Sequence, residues 1–467
     1  MRTRLLAAAM LSLALPLQAA EFKIAPDRMA VVDGQRSFVL GLYEYPKDDA
    51  VLDEVAKAGF NLVYAGADAT ALDRLQARGL KAWVNTGGAM DLDAGGDAAL
   101  REMAGKYASH PALMVWEVPD EALWNCWYGA TEWRRGAEPA RQRDKITALQ
   151  DKALAEKLNK DRVQVSVLYA QGRPAEAEAV ADAIWLALGE KQPHPDWSLA
   201  TAQERSEKMA AGMVKGYTLL RSIDPPHPVW MNHAPRNQIN QLAMFNAAAD
   251  IVGCDIYPVP QCEWVSHSDL LEQTPAAVGA YTTRMQAAAP GKPVWMVLQA
   301  FGWADIQPTA PPERKKAERR PTRAESQFMA YDVIVRGGRG VLYWGTVAIE
   351  KDSQCWRDVL SVVAELAELQ PVLSAPDASL SLKVSLAPTW GSVDREVRVL
   401  PKDVSGKTWL IVVNECVEPV KYTMEGLGKF DGATFTDPAA GVEVTVENGG
   451  ITLPIPAQSV QVLRPKM

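Results

Sequence analysis

Two adjacent carboxylates, Asp120 and Glu121, follow an apolar run from Ala112 to Val118, with Trp116 before them and Trp124 after. An apolar run that empties into acids is poor core material, because buried acids must be paired or desolvated. It suits a sugar site instead. Carboxyl groups there transfer protons or attack carbon, and indole faces cover the apolar side of a pyranose ring. The same residue types stand at the ends of other apolar runs: Tyr43 and Glu44, Asn85, Asn232 and His233, Asp255 and Tyr257, Gln299, and Trp344. Trp127, Trp264, Trp303, Glu350 and Trp356 lie in the segments just beyond. No nucleophilic serine elbow and no phosphate loop is visible, which argues against acyl and phosphoryl transfer. The five cysteines and five histidines fall in no metal-ligand spacing, so the reading calls for neither metal nor cofactor.

These residues need a scaffold that brings strand ends together. The expected strands are 37–42, 62–65, 81–85, 112–118, 228–232, 250–256, 293–299 and 340–344. Helical patterns separate them, at 50–58, 70–78, 97–109, 201–223, 238–248, 268–288 and 323–336, with a closing helix at 357–370. Gly59 fits a C-cap glycine. Eight apolar strands alternating with helices predict a (β/α)8 TIM barrel, in which functional groups collect at the C-terminal ends of the strands. A long insertion, 126–199, interrupts the alternation after the fourth strand. It carries helical runs at 138–159 and 174–191, and a stretch, 163–169, that fits strand or helix equally. It would stand over the barrel mouth as a lid or subsite wall. Past Pro376 the pattern becomes short alternating segments with turn residues between them, which predicts a C-terminal antiparallel β-sandwich over 376–467. The barrel then spans 21–375.

The mature chain is expected to be exported. Residues 1–20 combine basic Arg2 and Arg4, an apolar run from Leu5 to Leu17, and small residues before Glu21, the plan of a secretory signal peptide. The destination is the periplasm or the extracellular space. The formal net charge is −8, and near −10 once Arg2 and Arg4 are removed. An acidic exported chain is a weak candidate for nucleic acid or anionic membranes, and no later run is long and apolar enough for an integral membrane segment. One or two disulfides are permitted by that compartment, with at least one of the five cysteines left over. Oligomeric state has no signature in the sequence.

At the residue level, Trp83, Trp185, Trp230 and Trp295 read as core, and Trp264, Trp303 and Trp356 as sugar platforms. Asp120 is either a helix cap or a functional acid. Asp255 is either functional or a buried acid bonded within the barrel. Glu44 is either functional or a brace paired with Lys47. His233 reads as a hydrogen-bonding histidine. The basic stretch from Arg314 to Arg320 reads as a solvated loop that could also meet an acidic sugar.

The run Trp116-Glu117-Val118-Pro119-Asp120-Glu121-Ala122 resembles the fourth-strand motif W-x-x-x-N-E-P of the (β/α)8 glycoside hydrolases of clan A, the cellulase and β-galactosidase superfamily. It departs at Asp120, in place of Asn, and at Ala122, in place of Pro. His110-Pro111-Ala112-Leu113 resembles the lead-in, and Tyr257 and Trp344 resemble clan positions. Lys292-Pro293 and the apolar run after it resemble the seventh strand, with Gln299 where the clan has a glutamate nucleophile. The resemblance implies a glycosidase acting on a carbohydrate substrate, with Glu121 as general acid/base. The second carboxylate would be Asp255 or Glu44, or Asp120 would orient an acetamido group in a substrate-assisted route. Tyr43, Trp124, Asn232, Tyr257, Gln299, Trp303 and Trp344 are then the expected substrate-binding residues. The alternative is a non-catalytic carbohydrate-binding protein on the same barrel, having lost the strand-7 nucleophile at Gln299.

Overall fold

The structure, a computed structural model, describes residues 21–260, 267–307, 309, 311–387 and 396–466. Residues 1–20, Cys262 and Trp264 lie outside the described residues. A small antiparallel sheet, 22–24, 30–32 and 35–37, precedes the barrel.

Eight parallel strands follow: β1 (Val39–Leu42), β2 (Leu62–Tyr64), β3 (Lys81–Asn85), β4 (Leu113–Glu117), β5 (Val229–His233), β6 (Ile251–Cys254), β7 (Trp295–Gln299) and β8 (Gly340–Trp344). They pair in chain order, and β8 pairs back onto β1. Bridges Val252↔Val294 and Asp255↔Val297 join β6 to β7, which closes the ring. Strands buried on both faces are continuous apolar runs rather than alternating ones, and all five residues of β4, β5 and β7 are buried. Helices α1 (Asp49–Ala58), α2 (Ala69–Gln76) and α3 (Asp97–Tyr107) fill the first crossovers. Asp48 and Asp68 cap α1 and α2 by accepting backbone N–H groups. Gly59 ends α1 at φ +93°, and a side chain there would also strike the Ala367 methyl, so glycine is required twice over.

The insertion is helical throughout its ordered core: α4 (Ala122–Thr131), α5 (Glu138–Thr147), α6 (Lys152–Ala170) and α7 (Pro174–Ala187). The ambiguous stretch 163–169 is the C-terminal half of α6. Helices α5 to α7 share their own apolar core, including Ile146, Leu158, Leu168 and Ile184. Trp133 and Trp185 stack inside the insertion at 6.3 Å. The barrel resumes with α8 (Ala202–Ile223), α9 (Ile239–Asn246) and α10 (Ala277–Ala288). Helix α10 starts nine residues later than the sequence pattern places it. Pro275 cannot donate into a preceding turn, and the Ser268 and Glu272 side chains accept the Leu270 and Thr274 N–H groups that a helix would use.

The expected basic loop contains a short helix, α11 (Pro312–Ala317), and its arginines are paired. Arg314 bonds Glu318, Arg319 bonds Glu325, and Arg320 bonds Asp305 and Glu350. Helix α12 (Arg323–Val335) begins with a Thr322–Glu325 capping box, and α13 (Gln354–Glu368) completes the outer ring. Trp356 is 1% exposed at the start of α13 and donates to Glu54, so it is core and not a platform.

Beyond Leu373 come two antiparallel sheets. One joins β9 (Lys383–Leu386), β12 (Val420–Glu425) and β15 (Gly450–Ile455). The other joins β10 (Val397–Val404), β11 (Lys407–Asn414), β13 (Thr434–Asp437), β14 (Val442–Thr445) and β16 (Ser459–Pro465). The molecule is a TIM barrel followed by a β-sandwich. Among the described residues no helix is long and apolar enough to cross a membrane.

Candidate active site

The C-terminal ends of the strands open into a cleft of about 580 Å³, within the ordinary range for a small-molecule site. Glu121, Trp124 and Tyr128 line one side, from the start of α4. Arg236 follows β5, His267 follows β6, Trp303 follows β7, and Trp344 ends β8. Trp124 and Tyr128 stack at 5.3 Å and offer a flat aromatic surface.

Glu121 sits at the junction of β4 and α4 with φ +49° and ψ +34°, a left-handed conformation rarely adopted by a residue with a side chain. It occupies the N-cap position, yet its carboxyl accepts none of the helix N–H groups. The strain instead turns the carboxyl into the cleft. Burial raises its pKa, and the neighbouring Asp120 charge raises it further. Its partner is Asp255, immediately after β6, which is 3% exposed. Burial and then the Glu121 charge hold the Asp255 carboxyl well above the usual range. The two carboxyls lie beside each other, close enough for a hydrogen bond between them.

Asp120 is no helix cap. Its Oδ1 accepts from Asn232 Nδ2 at 3.0 Å. Asp120 is exposed to solvent. The protein packed around it still lifts its carboxyl above the ordinary range, against the bonds from Asn232 and Tyr43.

Tyr43 leads below the cleft to a residue that the motif reading passes over, Glu117. Glu117 is 0% exposed. Tyr43 and Trp83 reach it from β1 and β3 across the barrel lumen, and Asn85 lies opposite it in the ladder. Trp83 Nε1 donates to Glu117 Oε2 at 3.1 Å, Asn85 Nδ2 to the same oxygen at 2.8 Å, and the Tyr43 hydroxyl bonds Oε1. Burial, then the Asp120 charge, push the Glu117 pKa up to about 8 despite these donors. Alternation along β4 was the available signal: Glu117 shares the inner face with Val115, whereas Trp116 points outward and donates to Asp224 at 2.7 Å.

The other expected residues divide between lining and support. Trp124, Trp303 and Trp344 line the cleft. Tyr257 is 7% exposed and backs it, stacked on His267 at 4.9 Å and on Trp344 at 5.4 Å. Gln299 does not face the cleft. It is 0% exposed, accepts from Val259 N–H at 2.9 Å and donates to the Val259 and Phe301 carbonyls at 2.5 and 3.0 Å. Its amide ties two loops together, a task that needs both a donor and an acceptor. Glu44 pairs with Lys351 at 2.8 Å rather than with Lys47, and the Thr346 hydroxyl bonds the same oxygen. It belongs neither to the cleft lining nor to the Glu121–Asp255 pair. Trp83, Trp230 and Trp295 fill the lumen, and His233 bonds Asn246 at 2.8 Å. Cys126, Cys254 and Cys355 stand as thiols.

His267 and Arg236 had no sequence signal, because the loops after β6 and β5 alone place them. His267 Nδ1 accepts the Tyr257 N–H at 2.9 Å, which leaves its Nε2 3.9 Å from Asp255. Burial and then Arg236 push its pKa down to about 3, so it is neutral and carries its proton on Nε2, toward Asp255.

No protein-family model and no curated protein sequence matches the chain. Solved structures do. A family 5 glycoside hydrolase from Bacteroides vulgatus ATCC 8482 superposes with a TM-score of 0.53 at 13% identity, over 95% of this chain and 93% of that one. A family GH42 β-galactosidase from G. stearothermophilus, as a catalytic mutant, superposes with a TM-score of 0.50 at 11% identity, over 92% and 98%. At these identities the likeness speaks for architecture: the chain has the fold of these glycoside hydrolases.

Proposed function

We propose that the protein is a glycosidase that cleaves a glycosidic bond, with Glu121 as general acid/base and Asp255 as the second carboxylate. The carrying observation is that Glu121, on an aromatic-lined cleft, has the buried carboxyl of Asp255 beside it. One proton on the pair leaves one acid and one base, which is what glycoside cleavage requires. Inverting enzymes hold their carboxyls about 6.5–9.5 Å apart to admit a water, and retaining enzymes about 5–5.5 Å apart. Neighbouring carboxyls leave no gap for the water that inversion needs, which favours retention. Trp124, Trp303 and Trp344 would take the sugar faces, and neutral His267 would orient Asp255. The resemblance at Trp116 to Glu121 and the shared barrel support the same reading. The sequence of residues 1–20 supports export of the mature chain.

Gln299 favours a second reading, a binding protein without turnover, since no carboxylate ends β7. Product release from a broad glycoside panel separates the two. We expect turnover by wild type, with retention at the anomeric carbon, and loss of at least roughly a hundredfold in Glu121→Gln and in Asp255→Asn. Equal glycan binding by all three proteins with no product from wild type would establish the binder instead.

A further inference from the structure

The cleft floor offers a ligand negative charge and acceptors, and little else. Glu121 lines the cleft, Asp120 and Asp255 stand beside it at the ends of β4 and β6, and Glu117 lies one hydrogen-bonded tyrosine below. Among the described residues no lysine or arginine pairs with any of the four; Arg236, on the wall, acts on His267. Lys351 is taken by Glu44.

A second observation concerns oxygens rather than charge. Asp255 Oδ1 and Asn232 Oδ1 accept no hydrogen bond from the described protein, although both side chains are 3% exposed. Asn232 donates its amide to Asp120, which leaves its oxygen without a donor in the same cluster. A buried acceptor is costly to leave unpaired, so a ligand that completes this floor must bring donors. Three acids stand here with no paired cation, so the cluster favours a positively charged group. A sugar hydroxyl brings one donor and no charge. An acetamido group brings one donor and added bulk. An ammonium brings three donors and the missing positive charge.

We propose that the glycone bound over Glu121 is an amino sugar, whose protonated amine sits between Asp120 and the Asn232 carbonyl oxygen. This deepens the glycosidase reading and rests on it for the chemistry, but it is a statement about recognition. It also gives a reason for an acid at position 120, where the resembling motif carries an amide.

The test uses the full mature chain and three matched oligosaccharide series with one linkage: glucosamine, N-acetylglucosamine and glucose, repeated on the galactose frame. Affinity is read by calorimetry at fixed ionic strength and turnover by product release. The ammonium member should be favoured by at least about tenfold, as charge-assisted bonds to Asp120 imply. The advantage should fade as pH rises and the amine loses its proton, and should fall to within about twofold in Asp120→Asn. Handling of all three series within about twofold, a preference for the acetamido series, or no binding at all would overturn the proposal. So would an ammonium advantage that Asp120→Asn leaves intact, since that reports general attraction to an acidic protein. If Asp120→Asn does not fold, Asn232→Ser serves as the second variant and should likewise erode the advantage. Selective amino-sugar binding without cleavage would remove the glycosidase reading and leave this inference standing. Cleavage of neutral glycosides without the preference would do the reverse.

Discussion

Glu117 carries a consequence that can be measured without a substrate. Its ordinary pKa is 4.5 and burial lifts it to about 8, so between those values the folded chain holds a proton that the unfolded chain has released. Stability must then fall as pH rises from 4.5 to 8, by up to roughly 5 kcal/mol from this group, and level off above. Glu117→Gln keeps an acceptor for Trp83 and Asn85 and a partner for Tyr43, and removes the ionisation. We expect thermal melting of wild type to drop across pH 5–8 and the variant's to drop less, with the variant equal or higher at pH 8. Parallel profiles would show that Glu117 stays ionised. Trp124 makes the opposite kind of case. It is half-buried on the cleft wall, so Trp124→Ala should raise KM by roughly tenfold through lost ring contact, with melting little changed. That Glu121 and the tryptophans at 124, 303 and 344 would line one cleft was legible because residue type and strand-end position coincide there. Glu117 was not, because the spacing from Trp116 to Glu121 draws attention to the outward tryptophan, while the inner face of β4 is read only by alternation. Gln299 shows the limit from the other side. Its place at the end of β7 was legible, but its orientation was set by the Val259 backbone, which sequence does not reveal.

The strand-to-helix junction at Glu121 is where this barrel stores strain at the element scale. A left-handed residue with a side chain costs roughly 1–2 kcal/mol relative to glycine. Glu121→Gln and Glu121→Gly both remove the acid, so the difference between them reports the backbone. The glycine variant should melt higher than the glutamine variant, by about 1 kcal/mol in denaturant titration, and both should be inactive. A glycine variant less stable than the glutamine one would mean that side-chain contacts, and not backbone strain, govern the junction. The loop that Gln299 ties responds to a different change. Gln299→Glu supplies the carboxylate that the resemblance lacks, but it faces the Val259 and Phe301 carbonyls with no donor to give them. We expect a loss of roughly 3 kcal/mol at pH 8 and no gain in turnover. Strands and most helices were legible within a residue or two, since apolar runs and caps such as Asp48 and Thr322 are local signals. The late start of α10 was not, because it turns on side chains competing for backbone N–H groups.

At the scale of the molecule, barrel and sandwich are joined by a strand buried on both faces. Leu410 and Val412 of β11 belong to the sandwich core, while Ile411 and Val413 join the barrel core, so the two-residue period of one strand serves two domains. Glu415, just past that strand, sits at the polar end of the seam and is 1% exposed. It takes Arg336 from the end of α12 at 2.6 Å and Arg398 from β10 at 3.2 Å. Burial, and then the Glu415 charge, push the pKa of the neighbouring Asp332 of α12 well above the usual carboxylate range. A buried ion pair adds little over a well-packed apolar substitute, but removing one partner strands the other charge. Glu415→Ala should therefore cost about 3 kcal/mol, whereas Lys383→Ala, which breaks an exposed pair with Glu425 at 3.7 Å, should cost under about 0.5 kcal/mol. The shape of the transition carries as much information as its midpoint. With Ile411 and Val413 packed in the barrel core, neither domain can leave without exposing the other's apolar face, so wild type should melt in one cooperative calorimetric step. Glu415→Ala should melt earlier and still in one step. Two separated transitions in the wild type would mean that the apolar half of the seam contributes little and that the sandwich is an independent module.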